Sequence, residues 1–298
     1  MNSRTRKGVF CAVASALVFG ITPVLASLSF DLGSNAMTLT FYRNAMAVPV
    51  LLIMLLIRKV DLWISLRDFA VLFVVSGLFS VSTTFLVYES YQYIGVGLAT
   101  TLHFLYPMFT VLLGWILFHQ RPDKYKVIAL ILATLGVVLA SGSSDSFAVT
   151  GIVLALISAV TYAAYMQGIE HSAIGRMDSM KSMFYMCIVN AAVTAVVDLP
   201  GGDIIYDLSL KPMLLTFVLA IANSAFAYVL LIVGVRLIGA GDAAIFSMLE
   251  PVSGVIFGVL FLGEKLPLPK LASCILILIA VAIPIIRDRS REKKTKAY

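Results

Sequence analysis

The chain has 298 residues, 60% of them hydrophobic and 13% charged, with a formal net charge of +6 and a mean hydropathy of +0.99. Soluble domains average about 45–50% apolar and about 25% charged residues, so this composition excludes a soluble enzyme or binding module and points to a polytopic membrane protein. The basic residues lie in short loops and tails beside apolar runs, a pattern that encodes membrane orientation and not nucleic-acid binding.

About 20 apolar residues cross roughly 30 Å of hydrocarbon. On that measure the sequence predicts an all-α protein of ten transmembrane helices, over residues 8–28, 37–57, 69–91, 97–118, 126–140, 150–168, 182–197, 213–235, 241–262 and 268–286. The first follows Arg4, Arg6 and Lys7 and runs into VLAS around Ala26, imitating a secretory signal. Its near-spanning length and the membrane character of everything downstream predict a retained helix. The second carries Arg43, Asn44 and Pro49, and the third ends in Tyr88, Glu89 and Tyr91, with Tyr93 following, as an interfacial aromatic belt would. The fourth holds His103, Tyr106, Pro107, Thr110 and Gly114 at helical spacing. Tyr162, Tyr165 and Gln167 in the sixth, with Ser224 and Tyr228 in the eighth, form a polar set able to line a cavity. Asn44, Asn190 and Asn223 stand in apolar helices, where amides join one helix to another. Pro23 and Pro49 read as kinks.

The ninth helix breaks two local rules. Glu250 falls near its middle, where an ionised carboxylate is costly, and Pro251 leaves the carbonyl of Ser247 without a helical partner. Ser247, Glu250, Gly254 and Gly258 share one stripe, and the last two form a GxxxG pair suited to close helix contact. That stripe is predicted to face other helices. A carboxyl on a proline-broken membrane helix points to a transport or proton pathway, against the plainer role of a packing hydrogen bond.

Lys and Arg place Arg58, Lys59, Arg67, Arg121, Lys124, Lys126, Arg176, Lys181, Arg236 and both tails on one side. Lys211, Lys265 and Lys270, with Asp31, Asp145, Asp203 and Asp207, fall on the other. Both termini of a multi-pass protein of the cell membrane are therefore expected in the cytoplasm, which an even helix count requires. The basic tail from Arg287 to Lys296 reads as an anchor near anionic lipid. Cys11, Cys187 and Cys274 lie within apolar runs as small buried hydrophobes, with no disulfide framework.

The chain also resembles itself. Pro107 and Pro251 stand 144 residues apart, and the same offset pairs Gly95 with Gly239, Gly97 with Gly241, Leu105 with Leu249 and Gly114 with Gly258. Gly8 and Ser15 find Gly151 and Ser158 at an offset of 143. Each copy holds five helices, and an odd number makes the second enter the membrane from the opposite face. This is an inverted-topology repeat, the geometry behind alternating access about a midplane site.

The Leu105-Tyr106-Pro107 and Leu249-Glu250-Pro251 triplets, and the Gly263-Glu264 pair closing the ninth helix, resemble the two EamA repeats of the drug/metabolite transporter superfamily. The resemblance covers nearly the whole chain, with residues 1–142 as the first repeat and 143–298 as the second with the basic tail. Arg43, within FYRNAMA, is similar to an arginine often seen there in the family. The first copy departs from the pattern: His119, Gln120 and Arg121 replace Gly263, Glu264 and Lys265, and Tyr106 replaces Glu250, so acid chemistry would come from one half only. The resemblance implies a central cavity lined by both halves and a secondary transporter, with export favoured, of a small organic metabolite such as an amino acid. It fixes no substrate, and a multidrug efflux carrier is the alternative within the family.

The residues expected to bind substrate or couple transport are Glu250, Arg43, His103, Tyr106, Ser247 and Asn223, with Pro107 and Pro251 as the helix breaks. Glu250 would carry a proton or meet an amine. Arg43 would meet an anionic group, pair with Glu89, or snorkel to the interface, three options the sequence leaves open. His103 suits proton exchange and an interhelical hydrogen bond equally. The partners expected are a small solute and the lipid bilayer, as a monomer or homodimer, without nucleic acid, metal or cofactor. The competing class is an intramembrane aspartyl protease, because Gly239-Ala240-Gly241-Asp242 matches GxGD and Tyr206-Asp207 supplies YD. The eighth helix separates Asp207 from Asp242 by roughly 30 Å, whereas an aspartic dyad needs about 3 Å. No HExxH, GxSxG or P-loop motif is present.

Overall fold

The computed structural model describes residues 3–140, 148–262 and 266–295. Ten transmembrane helices make up the chain: α1 (Ser3–Asp31), α2 (Ala36–Ile57), α3 (Leu66–Gly95), α4 (Leu98–Phe118), α5 (Lys124–Ala140), α6 (Val149–His171), α7 (Ser179–Asp198), α8 (Leu210–Ile238), α9 (Ala240–Phe261) and α10 (Leu268–Thr295). Nine are long and apolar enough to cross a bilayer by length and composition, and α5 adds 17 described residues packed along α10.

Packing follows the repeat. α1 lies against α8 and α9, and α6, its counterpart, lies against α3 and α4, while α2 pairs with α7 and α5 with α10. Each half therefore lends its first helix to the other. The close approaches repeat as well: a Cβ on Gly8 would sit 2.6 Å from Ile238, and one on Gly151 2.6 Å from Tyr93. α3 and α8 each pass through π-helical turns, Phe73–Ser80 and Ala220–Ala227, at overlapping places in the two halves. Such turns leave carbonyls and side chains free for other partners.

The predicted helix boundaries need three corrections. α1 is not continuous; it breaks between Phe19 and Thr22, where Gly20 crosses α9 so closely that a Cβ would lie 1.9 Å from Ser253 Oγ. Pro23 falls in the first turn of the second piece. α4 breaks at Phe104 and Leu105, and α9 breaks at Met248, one turn before each proline, so Ser247 and Glu250 sit on separate pieces. α2, by contrast, stays helical through Pro49. Gly263, Glu264, Lys265 and Asp145 lie outside the described residues.

Candidate functional site

Three half-helices start inside the bundle, at Thr22, Tyr106 and Leu249. A helix start presents free N–H groups and a partial positive charge, which is how broken membrane helices meet charged groups at the midplane. Glu250 lies in the first turn of the last of these, ten residues from the start of α9, or about 15 Å along it. Glu250 is half-buried, and its carboxylate forms no hydrogen bond or ion pair with the described residues. Tyr91, Tyr106, Tyr162 and Tyr228 all lie within its electrostatic reach.

These tyrosines form a connected wall. Tyr106 meets Tyr162 edge-on at 4.5 Å, Tyr162 stacks on Tyr165 at 5.5 Å, and Tyr165 meets Tyr228 at 6.4 Å. The His103 ring lies 5.6 Å from Tyr106 and 5.5 Å from Tyr162. Its Nδ1 is 3.0 Å from Ser158 Oγ, whose own hydroxyl donates to the Ala155 carbonyl at 2.6 Å. Since that hydroxyl has one proton, Nδ1 is the donor to Ser158. The Tyr106 hydroxyl points towards Ser247 without reaching full hydrogen-bond geometry, and Ser247 Oγ donates to the Ala243 carbonyl.

Arg43 is among the buried residues of α2. It is 9% exposed, which removes the snorkelling option, and its Nε has no hydrogen-bond partner. Tyr228 and Cys187 are within its electrostatic reach, and Ser224 lies beside Cys187. Glu89 does not pair with it; the Glu89 carboxylate is exposed and accepts from Gln92 Nε2 at 3.2 Å. Several buried polar atoms near Arg43 also have no protein partner, among them Thr40 Oγ1, Ser224 Oγ, Tyr165 Oη and Asn223 Oδ1. Buried polar atoms are normally satisfied, and a group of exceptions beside a buried guanidinium has the character of a binding surface.

Of the six residues expected at the site, Glu250, Tyr106, Ser247 and His103 come together, and Arg43 joins them across Tyr228. Asn223 instead ties α8 to α1, donating from Nδ2 to Thr22 Oγ1 at 2.7 Å. Asn190 also bridges helices, accepting from Ser76 Oγ at 2.6 Å, whereas Asn44 donates to the Thr40 carbonyl of its own helix. The expected belt residue Tyr91 accepts from Thr100 Oγ1 at 3.4 Å.

A cleft of about 520 Å³, lined by Asn35, Met37, Phe85, Tyr88, Glu89 and Asp203, lies at the face opposite the chain's N-terminus. Tyr88 links it inward, 5.5 Å from Tyr91 and within electrostatic reach of Tyr228. Asp207 belongs to the α7–α8 loop on that face, while Asp242 pairs with Lys126 at 2.8 Å on the other. Asp207 and Asp242 therefore do not form a dyad. Sequence reasoning missed Glu170, at the inner end of α6, which binds both Gln120 and the start of α9.

Broken membrane helices repeated in two halves are an architecture shared by secondary transporters. The sequence pattern of the EamA-like transporter family matches residues 6–142 and again residues 149–286, and the chain belongs to that family. It is 23% identical over 290 residues to the Bacillus subtilis (strain 168) protein named uncharacterized transporter YcbK, covering 90% of this chain and 89% of that one. It is 26% identical over 205 residues to uncharacterized transporter sll1319 of Synechocystis sp. (strain ATCC 27184 / PCC 6803 / Kazusa), covering 66% and 61%. A solved crystal structure shares its fold at 18% identity and a TM-score of 0.81, over 96% of this chain and 98% of the other.

Proposed function

We propose that this membrane transporter is a secondary carrier that exports a small organic metabolite of the amino-acid kind by alternating access. In this reading the basic loops and both termini lie in the cytoplasm, and the two halves rock about the midplane site. The carrying observation is that the half-buried Glu250 and the buried Arg43, whose Nε has no hydrogen-bond partner, both lie within electrostatic reach of Tyr228. One acid and one guanidinium separated by an aromatic ring match the two ends of a zwitterion. Glu250 meets the ammonium group or carries the coupling proton, and Arg43 meets the carboxylate.

The tyrosine faces favour a second reading. Aromatic rings beside a carboxylate attract organic cations, so a carrier of cationic drugs would use Glu250 and leave Arg43 idle. A thermal-shift screen of the detergent-purified protein against amino acids, sugars, nucleotides and cationic drugs separates the two, because a ligand of the folded state raises apparent stability. The zwitterion reading expects an amino-acid-like stabiliser whose effect is lost in both Glu250→Gln and Arg43→Gln. A cation that still stabilises Arg43→Gln supports the drug carrier instead.

A further inference from the structure

The face that carries the N-terminus is fastened by residues the midplane site does not use. Glu170 closes α6, and its two carboxylate oxygens serve different partners: Oε2 accepts the Ala240 backbone N–H at 2.6 Å, and Oε1 accepts from Gln120 Nε2 at 2.9 Å. Ala240 opens α9 in the second half, and Gln120 follows α4 in the first. A carboxylate is favoured at a helix start, and charge-assisted hydrogen bonds are stronger than neutral ones.

Other contacts reinforce the closure. His171 stacks on Phe118 with ring centres 3.5 Å apart, and Gln120 Nε2 lies 3.1 Å from His171 Nε2. One turn deeper, Gln167 Nε2 donates to the Thr110 carbonyl at 2.7 Å. α4 and α6 are close enough there that a Cβ on Gly114 would lie 2.7 Å from Gln167. Lys126 to Asp242 adds a tie between α5 and α9.

At the opposite face the halves meet differently, through Asn35 Nδ2 donating to the Asp203 carbonyl at 2.7 Å and the Ile205 N–H donating to Thr38 Oγ1 at 2.9 Å. Gly95 and Gly239 adopt nearly the same backbone angles, φ 72°, ψ 162° and φ 87°, ψ 158°. A Cβ on Gly239 would meet the Glu170 carboxylate at 3.4 Å, and one on Gly95 would meet no atom within 4 Å. A cleft of about 260 Å³ lies beside Glu170, Gln120 and Gly239, and one of about 520 Å³ lies on the face without the acid.

We propose that Glu170 is the latch of the N-terminal face, a positioning residue that joins the start of α9 in its own half to Gln120 in the other, and whose hydrogen bonds must break for that face to open. The proposal rests on the alternating-access reading. It places the resting carrier open to the opposite side, and Glu170 sets how often the N-terminal side is exposed.

The test is a spin-label distance between Arg121→Cys and Arg176→Cys in the full-length protein with its three native cysteines replaced by serine. Both sites are exposed, one in each half, on the latched face. Glu170→Ala should add a population longer by roughly one helical turn, about 5 Å. Glu170→Gln, whose amide oxygen can still accept one bond, should lie between it and the parent. If Glu170→Ala cannot be purified, Gln120→Ala should give a smaller lengthening. A distribution unchanged by Glu170→Ala, or by Gln120→Ala in its place, overturns the latch. The measurement needs no solute, so lengthening without any vesicle flux would leave the latch standing and remove the carrier reading. Flux without lengthening would remove the latch alone.

Discussion

Gly95 and Gly239 occupy the same place in the two halves, join the same pair of helices, and share a backbone conformation open almost only to glycine. Beside Gly239 the Glu170 carboxylate binds the start of α9 and reaches Gln120 of the other half, whereas a Cβ on Gly95 would meet no atom within 4 Å. The same contrast recurs at the midplane, where Glu250 in one half answers to Tyr106 in the other. The backbone repeats between the halves, and single side chains at equivalent places differ in charge and in what they bind.

That comparison is open to attack at several points. The largest effect is expected at the midplane pair: Glu250→Gln should weaken binding of a stabilising solute about tenfold or more, since a hydrogen bond to a charged group contributes about 1.5–3 kcal/mol. Tyr106→Phe removes a hydroxyl that has no full partner and should cost only a few-fold, about 0.5–1.5 kcal/mol. Equal losses, read by titration, would erase the distinction between the halves. Next comes α1 against α6. Gly20→Ala drives a methyl group into Ser253 and should lower the thermal midpoint as overpacking does, by about 1–3 kcal/mol. Ala163→Gly, at the matching position of the unbroken α6, should cost about 1 kcal/mol through helix propensity and lost packing.

The two junctions should then separate. Gly95→Ala and Gly239→Ala both incur backbone strain of about 1–3 kcal/mol. Only Gly239→Ala also brings a methyl group into contact with Glu170, so any change in the distance across the N-terminal face should be confined to it. Smallest is Lys126→Met, which removes an ion pair with about a quarter of each side chain exposed and should shift the thermal midpoint by less than about 1 kcal/mol.

Much of the fold was legible because a bilayer imposes a length on every helix and the repeat imposes a second, independent check. The breaks in α4 and α9 announced themselves through Pro107 and Pro251. The break in α1 did not, because its cause is a contact between Gly20 and Ser253 more than two hundred residues away, and Pro23 alone marks only a kink. Asn44 was expected to bridge helices but reaches back to Thr40, as short polar side chains do when no partner lies opposite. Glu170 escaped because an acid near a basic loop resembles a solvated interface residue. One signal was available: it sits in the last turn of its helix, where the dipole opposes a negative charge, and such a breach of local preference asks for a compensating partner. Ala240 and Gln120 supply it.

The most direct test of the central claim, that a midplane carboxylate carries the transported solute, is counterflow in reconstituted vesicles. The solute would be the best stabiliser from the screen, exchanged at two pH values by the wild type and by Glu250→Gln. The account predicts exchange by the wild type and none above background by Glu250→Gln at either pH. Should Glu250→Gln exchange the solute at the wild-type rate with the same pH profile, Glu250 neither binds the solute nor carries its proton, and the midplane site described here is not the route of transport.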